Sequence, residues 1–346
     1  MYRRALTLLR LLTALLLTAG GLALVGGGGT AAAADNGTWS VFPQPNAAGS
    51  ASLTPDRQFF YLEAAPGTTV HDKVSVANLS DRPMTFQLYG ADAYNTPRDG
   101  GFALRSADQK QTGVGAWTHL AKNTLTVPAH TRADVPFTLT VPAGAEPGDH
   151  SGAVVALDTA IEGTSSNGSV AVGIKRAVGA RIYLRVSGPA VPALGVRNVT
   201  VDRSAPLVPG LGRSTATIHY TLVNQGNVTV HPALSLKATG WLGGTVLSTR
   251  PTDLGIDLLP GQSVQLTAPW PHPPQFDHVS LTVTVSGADI SGHAGAGFLA
   301  VPWYLVGLVL LLAALLVLLL KLRKRRRTGD HPQGSGDGRV RVGAAA

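Results

Sequence analysis

The residues able to do covalent or acid-base chemistry are few and scattered along this chain. Asp149-His150-Ser151 holds the three residue types of a hydrolytic triad. Adjacent residues on a strand alternate faces, however, so these three do not converge as nucleophile, base and orienting group. The 10 His are dispersed, and no pair shows a metal-ligand spacing such as His-x-x-x-His beside carboxylates. There is no Cys, which removes thiol catalysis, zinc-thiolate sites and disulfides together. The Gly-rich stretches at 26–29 and 294–297 do not follow a strand and open a helix with a Lys, so they are not phosphate loops. Asn36, Asn78, Asn167, Asn198 and Asn227 begin formal glycosylation sequons, but Asn, Ser and Thr are also ordinary turn residues. This inventory points to a non-enzymatic protein with no cofactor and no metal.

Binding is the chemistry that remains, and the aromatic residues are the candidates for it. Tyr94, Phe102 and Trp117 stand near two polar stretches, Asp92 to Phe102 and Gln109 to Trp117. Aromatic rings beside polar groups can hold the apolar face of a sugar. The competing reading is packing, most of all for Trp117, which lies between Val114-Gly-Ala and Thr-His-Leu120.

The formal net charge of +8 raises the question of a nucleic-acid partner, and its placement answers it. Residues 1–34 carry +3 and residues 321–346 carry +6, which leaves −1 for everything between. A near-neutral body offers no basic groove, so no nucleic acid is expected. The bias toward Ala, Gly, Leu and Arg is that of a high-GC Gram-positive bacterium.

Both charged ends read as membrane signals. Met1-Tyr-Arg-Arg4, a Leu-rich run to Val25 and Ala31-Ala-Ala-Ala34 have the form of a signal peptide, cleaved after about Ala34. An uncleaved anchor is disfavoured because Gly26 to Gly29 would break its helix. From Val301 to Leu320 there is no charge, Trp303 and Tyr304 suit an interfacial belt, and Lys321 to Arg327 follow at once. Positive residues stay on the cytoplasmic side, so the expectation is a single-pass membrane protein with its body outside.

The body is expected to be all-β. Short alternating segments are broken by Gly, Pro, Asn and Asp, with candidate strands at 59–63, 69–77, 84–89, 133–141, 152–158, 180–186, 214–223, 233–237, 263–268 and 279–285. Two stretches repeat. Val74-Ser-Val-Ala-Asn78 resembles Tyr220-Thr-Leu-Val-Asn224, and Leu125-Thr-Val-Pro128 resembles Leu258-Leu-Pro260. Asn is expected there for its tolerance of the left-handed turn conformation, and Pro for its preset φ. Two tandem immunoglobulin-like β-sandwiches follow, over 35–188 and 189–290. They lie between the signal peptide (1–34) and a juxtamembrane linker (291–300), a transmembrane helix (301–320) and a basic cytoplasmic tail (321–346). The first half has 50 residues between Asn78 and Pro128, against 36 between Asn224 and Pro260, and the surplus falls on the two polar stretches named above.

The run from Asn78-Leu-Ser-Asp-Arg-Pro-Met-Thr-Phe to Asp92-Ala, then Gly100-Gly-Phe102, Gly115-Ala-Trp117, Val127-Pro128 and Val141-Pro-Ala-Gly-Ala-Glu-Pro-Gly-Asp149-His-Ser-Gly-Ala153, resembles the WxL-interacting surface proteins of Gram-positive bacteria. The likeness covers about 38–187 and is weaker in the second half. It implies a wall-associated scaffold whose first sandwich binds peptidoglycan and whose second meets a partner surface protein. The alternative is an adhesive or structural immunoglobulin-like protein that binds another protein rather than glycan.

Overall fold

The computed structural model describes residues 37–45, 57–160, 164–167, 170–173, 175–206, 212–301 and 303–327. The expected signal peptide and the tail beyond Arg327 lie outside them. The chain divides into two compact units, one comprising the residues up to Tyr94 with Phe102–Val191, the other Asn95–Gly101 with the residues from Pro192 onward.

The first unit holds β1 (Trp39–Pro43), β2 (Phe60–Ala64), β3 (Thr69–Asn78), β4 (Met84–Asn95), β5 (Phe102–Leu104), α1 (Val114–Trp117), β6 (Thr118–Leu120), β7 (Thr124–Val127), β8 (Arg132–Thr140), β9 (Gly148–Asp158), β10 (Thr164–Asn167), β11 (Val170–Gly173) and β12 (Ala177–Val186). One sheet runs β1-β3-β8-β6 and the other β2-β12-β9-β4-β5, with β7 also on β4. Alternation decides which residues meet between the sheets. On β12, Val178, Ala180, Ile182, Leu184 and Val186 are buried while the residues between them are not. They pack with Val74, Val76, Val135, Phe137 and Leu139 of the opposite sheet. Phe60 meets Phe137 edge to face at 5.1 Å, and Trp39 meets Phe86 at 5.5 Å. Each such side chain contributes about 1.5–3 kcal/mol of burial, and in a chain without disulfides that packing must suffice.

The second unit holds β13 (Leu194–Ser204), β14 (Thr215–Asn224), β15 (Ala233–Thr239), β16 (Thr245–Ser248), β17 (Thr252–Asp253), β18 (Ser263–Trp270), β19 (Asp277–Gly287), β20 (Ile290–Ala300) and α2 (Trp303–Arg327). The sheets are β13-β14-β18 and β16-β15-β19-β20, with β17 on β15. Ile218, Tyr220 and Leu222 of β14 face Val279, Leu281, Val283 and Val285 of β19 in one core. The segment Asn95–Gly101 is part of this packing. Leu259 N–H donates to Asn95 Oδ1 (2.9 Å), Asn95 Nδ2 donates to the Asp257 carbonyl (2.8 Å), and Gln265 N–H donates to the Pro97 carbonyl (2.7 Å).

The fold class is therefore the expected all-β one, with two immunoglobulin-like sandwiches and one C-terminal apolar helix. Every candidate strand read from the sequence coincides with an observed strand, three of them overrunning it by one residue, at Phe59, Val141 and Ser214. Two expectations are corrected. Residues 291–300 are not a linker, because Ile290–Ala300 form the edge strand β20, paired with β19 from Gly287↔Ile290 to Asp277↔Ala300. Gly and Ala are used there for closeness: a Cβ on Gly292 would stand 2.5 Å from the Leu194 carbonyl oxygen. Asn78 and Asn224, in turn, are not left-handed turn residues. Both are fully buried, and neither has a positive φ.

Each Asn is a bracket. Asn78 Nδ2 donates to the carbonyls of Arg82 (2.7 Å), Val127 (3.0 Å) and Pro128 (3.1 Å), while its Oδ1 accepts from Ser80 N–H (3.0 Å) and Oγ (2.7 Å). Asn224 Nδ2 donates to Val228 (2.7 Å) and Leu258 (2.9 Å), and its Oδ1 accepts from Gly226 N–H (3.0 Å). The repeat in the sequence is thus one polar device built twice, tying a strand end to the turn before a later strand. The hydrogen bonds align Val127 with Leu258, one residue away from the alignment that matches the two prolines.

Candidate functional site

Sheet alternation places a group of aromatic side chains on the outer face of the five-strand path of the first sandwich. β2 and β12 pair in parallel with Tyr61 opposite Tyr183, so with Phe60, Ile182 and Leu184 turned inward, Tyr61 and Tyr183 point out. Their rings stack at 5.5 Å and 14°. Phe59, just before β2, lies edge-on to both, at 6.2 Å from Tyr61 and 5.7 Å from Tyr183. Phe102 on β5 reaches to 6.3 Å from Tyr183. The intervening strands carry small residues there, Ser151 and Ala153 on β9 and Ala91 on β4, so the rings overhang a shallow trough. Arg181 lies along it, its guanidinium carbon 4.2 Å from the Phe102 ring centre and 5.7 Å from that of Phe59. Such contacts hold the cation in place without neutralising it.

Beyond the trough the same face continues as a small apolar cluster of Ala91, Ala153 and Val155 with Tyr89 and Leu104. Burial, assisted by the negative charge of Asp108, pushes the Tyr89 phenol above its ordinary value. On the other side of the trough, Arg185 pairs with Asp149. Tyr61 is 73% exposed. An outer sheet face usually carries Thr, Lys and Glu, so a contiguous group of aromatics with an Arg makes this face the candidate site.

The sequence-derived candidates are not brought together. Phe102 belongs to the trough. Tyr94, half-buried on β4, falls by alternation on the face opposite Tyr89 and Ala91. Trp117 packs at the rim of the core with its ring 5.0 Å from that of His150. Phe59, Tyr61, Tyr183 and Arg181 escaped the sequence reading, although Phe59-x-Tyr61 and Arg181-x-Tyr183, each straddling a buried residue, carried the signal. The would-be triad is dispersed: Asp149 binds Arg185, and His150 Nε2 lies 2.8 Å from the Glu146 carbonyl oxygen. Among the described residues no group of three or more His, Asp or Glu is placed to hold a metal.

The polar stretch before Trp117 owes its order to one buried carboxylate. Asp92 accepts N–H donors from Thr112 (2.5 Å), Gly113 (3.0 Å) and Gly115 (2.7 Å), which sets the entry of α1. A separate open hollow of about 390 Å³ lies on the other sheet, lined by His71, Lys73, His119, Pro136 and Thr138 among others.

One helix among the described residues, over Val306–Lys324, is long and apolar enough to cross a membrane, and none of it is buried inside the protein.

No family model and no curated protein matches the chain. Among solved structures it is similar to the class 5 fimbriae chaperone CfaA, at 12% identity and a TM-score of 0.32 over 70% of this chain and 96% of that one. A CFA/I fimbriae chaperone–tip adhesin complex gives 11% and 0.34 over 76% and 99%. The CsuC–CsuE chaperone–tip adhesion subunit complex of Acinetobacter baumannii gives 9% and 0.31 over 66% and 89%. Superpositions this loose carry no argument about function, and the fold assignment stands on the strands and cores above.

Proposed function

We propose that this chain is a non-enzymatic, membrane-anchored surface protein whose first sandwich binds another protein through the aromatic trough. The observation that carries the reading is the group Phe59, Tyr61, Phe102 and Tyr183 with Arg181 on an outer sheet face, Tyr61 exposed and the others half-buried against one another. Tyr and Arg in a shallow, partly pre-ordered surface are the residue types that dominate protein interfaces, because they bring large area at little cost in side-chain freedom. In this reading α2 is the anchor, and the basic run from Lys321 supports a topology with the sandwiches outside the cytoplasm.

A second reading is the wall glycan implied by the resemblance to WxL-interacting proteins. Tyr61 favours it, since a ring 73% exposed can also carry a sugar face. One experiment separates the two. The full chain carrying a photo-crosslinking phenylalanine analogue in place of Tyr61 is irradiated on cells, and in parallel the unmodified chain is sedimented with insoluble peptidoglycan. Protein binding predicts a discrete crosslinked partner, identified by mass, that disappears with Arg181→Glu. Retention on peptidoglycan that Arg181→Glu abolishes, without a protein crosslink, replaces the first reading with the second. Neither signal from a folded chain removes the trough as a binding site.

A further inference from the structure

Large apolar side chains are also exposed on the second sandwich, and their placement is not random. Among the described residues of its two sheets and their loops they are Trp241 (79% exposed), Leu242 (96%), Phe276 (72%) and Leu299 (58%). Trp241 and Leu242 form the tip of the β15–β16 hairpin, Phe276 immediately precedes β19, and Leu299 is the penultimate residue of β20. The registers bring all of them to one end of one sheet. Thr239 is opposite Ser280, His278 is opposite Leu299, and Asp277 is opposite Ala300. The hairpin tip is fastened to that end, because Trp241 N–H donates to Asp277 Oδ1 at 2.9 Å.

This is also the end from which the chain leaves for α2. Only Val301 and Pro302 separate Ala300, the last residue of β20, from Trp303, the first of the helix. Three steps of 3.8 Å span at most about 11 Å. The headgroup layer on either side of a bilayer is roughly 5–8 Å thick, and it is where Trp and other large side chains with one wet end settle. Arg203, whose Nη2 donates to the Gln275 carbonyl at 3.1 Å, and the exposed Arg213 supply positive charge at the same end.

We infer that Trp241, Leu242, Phe276 and Leu299 form a membrane-docking tip, which inserts into the headgroup layer of the bilayer that α2 spans and holds the second sandwich against it. The inference rests on the reading of α2 as an anchor. The occupant is the outer leaflet of the protein's own membrane, because a strand-to-helix connection this short leaves those side chains within reach of no other apolar phase.

The absence of Cys makes the test direct. Leu242→Cys, Phe276→Cys, Ser291→Cys and Leu312→Cys variants of the full chain are nitroxide-labelled and reconstituted into phosphatidylcholine/phosphatidylglycerol vesicles. Collision rates with oxygen, which concentrates in lipid, and with a water-soluble nickel chelate are then compared. Ser291 is exposed at the far end of β20, about 30 Å from Ala300 at a strand rise of roughly 3.3 Å. The expected result is a reversal: oxygen collisions exceed nickel collisions at 242, 276 and 312, and nickel exceeds oxygen at 291. Lipid-like values at 312 with water-like values at 242 and 276 overturn the docking tip and leave the anchor intact. Water-like values at 312 remove the anchor and the tip together. A fall in both collision rates at 242 and 276 means that protein, not lipid, covers the tip, and this also overturns the inference.

Discussion

The two sandwiches share an internal polar device and differ in what they show to the outside. Each ends its central strand, β3 or β14, in a fully buried Asn that brackets the turn leading into β8 or β18. Outside, the first presents four aromatics and an Arg on a sheet face. The corresponding outer positions of β19 and β20 in the second are Ser286 and Ser291, Thr284 and His293, Thr282 and Gly295, Ser280 and Gly297, and its large exposed apolar residues are confined to one end. Internal brackets are fixed by the need to satisfy buried carbonyls, a need that both sandwiches share whatever they present outside. Outer faces answer only to solvent and partners, so they differ where roles differ.

The comparison breaks most severely at the brackets. Asn78→Ala removes a donor from the carbonyls of Arg82, Val127 and Pro128, although Arg82 keeps Ser80 Oγ and Pro128 keeps Thr131 Oγ1, and Asn224→Ala removes one from Val228 and Leu258, the latter keeping Val230 N–H. With each lost hydrogen bond worth roughly 0.5–1.5 kcal/mol net, and five lost at Asn78 against three at Asn224, we expect a loss of about 4 kcal/mol at Asn78 and about 3 at Asn224. Denaturant unfolding of the full chain, followed by hydrogen exchange within each sandwich, checks this. The damage should stay within the sandwich that was mutated and be larger in the first, and equal losses below 1 kcal/mol would remove the bracket from both.

Next in size is a feature the second sandwich lacks. Asp92 holds the entry to α1 through Thr112, Gly113 and Gly115 N–H groups. Asp92→Ala leaves those donors unpaired beside the core, for an expected cost of about 3 kcal/mol or roughly 8 °C in the first sandwich's Tm. Trp117 and His119, which follow directly, should lose their amide protection first.

Alkaline pH separates the sandwiches in the other direction. Tyr220 in the second core has its phenol pushed up to about 12 by burial. A raised phenol means that the folded state holds the proton more tightly than the unfolded chain, whose value is near 10. Its contribution is therefore fully present below about pH 10 and is lost as pH rises toward 12, by roughly 2–3 kcal/mol. The second sandwich should melt progressively lower over that window, and Tyr220→Phe, which keeps the ring, should flatten the decline. An unchanged decline in the variant would assign it to other groups.

How much of this was legible in the sequence depends on whether alternation was intact. β12 and β14 alternate cleanly, and their strands were readable. β1 is buried at all five positions, so Trp39-Ser-Val-Phe-Pro43 shows no period. β13 is interrupted by a bulge between Arg197 and Thr200, with Asn198 at φ 52°. In β20 the inward positions are filled largely by Gly and Ala, which read as a spacer. The trough was legible only at Phe102. Its other members come from segments about 120 residues apart that meet through the parallel β2–β12 register, and no local pattern contains a register.

The smallest prediction concerns a position where one device is built from two different residues. By the hydrogen bonds of the brackets, Asn78 N–H to Thr131 O and Asn224 N–H to Gln262 O, His130 and Gly261 are equivalent. Both sit in the left-handed region, His130 at φ 51° and Gly261 at φ 69°. Gly carries no Cβ to meet the following carbonyl, whereas a side chain there costs about 1–2 kcal/mol. The first sandwich therefore holds strain at His130 that the second avoids. Its pairing with Asp81 at 2.8 Å is exposed and offsets less than about 1 kcal/mol. Gly261→Ala should destabilise the second sandwich by about 1 kcal/mol, and His130→Gly should stabilise the first by about 0.5 kcal/mol, because the added freedom of glycine in the unfolded chain takes back part of the relief. Opposite signs at the two positions in the same unfolding experiment are the required outcome. A loss of stability in His130→Gly comparable to that in Gly261→Ala would mean that the His130–Asp81 pair, rather than the backbone, sets the energy of the first turn.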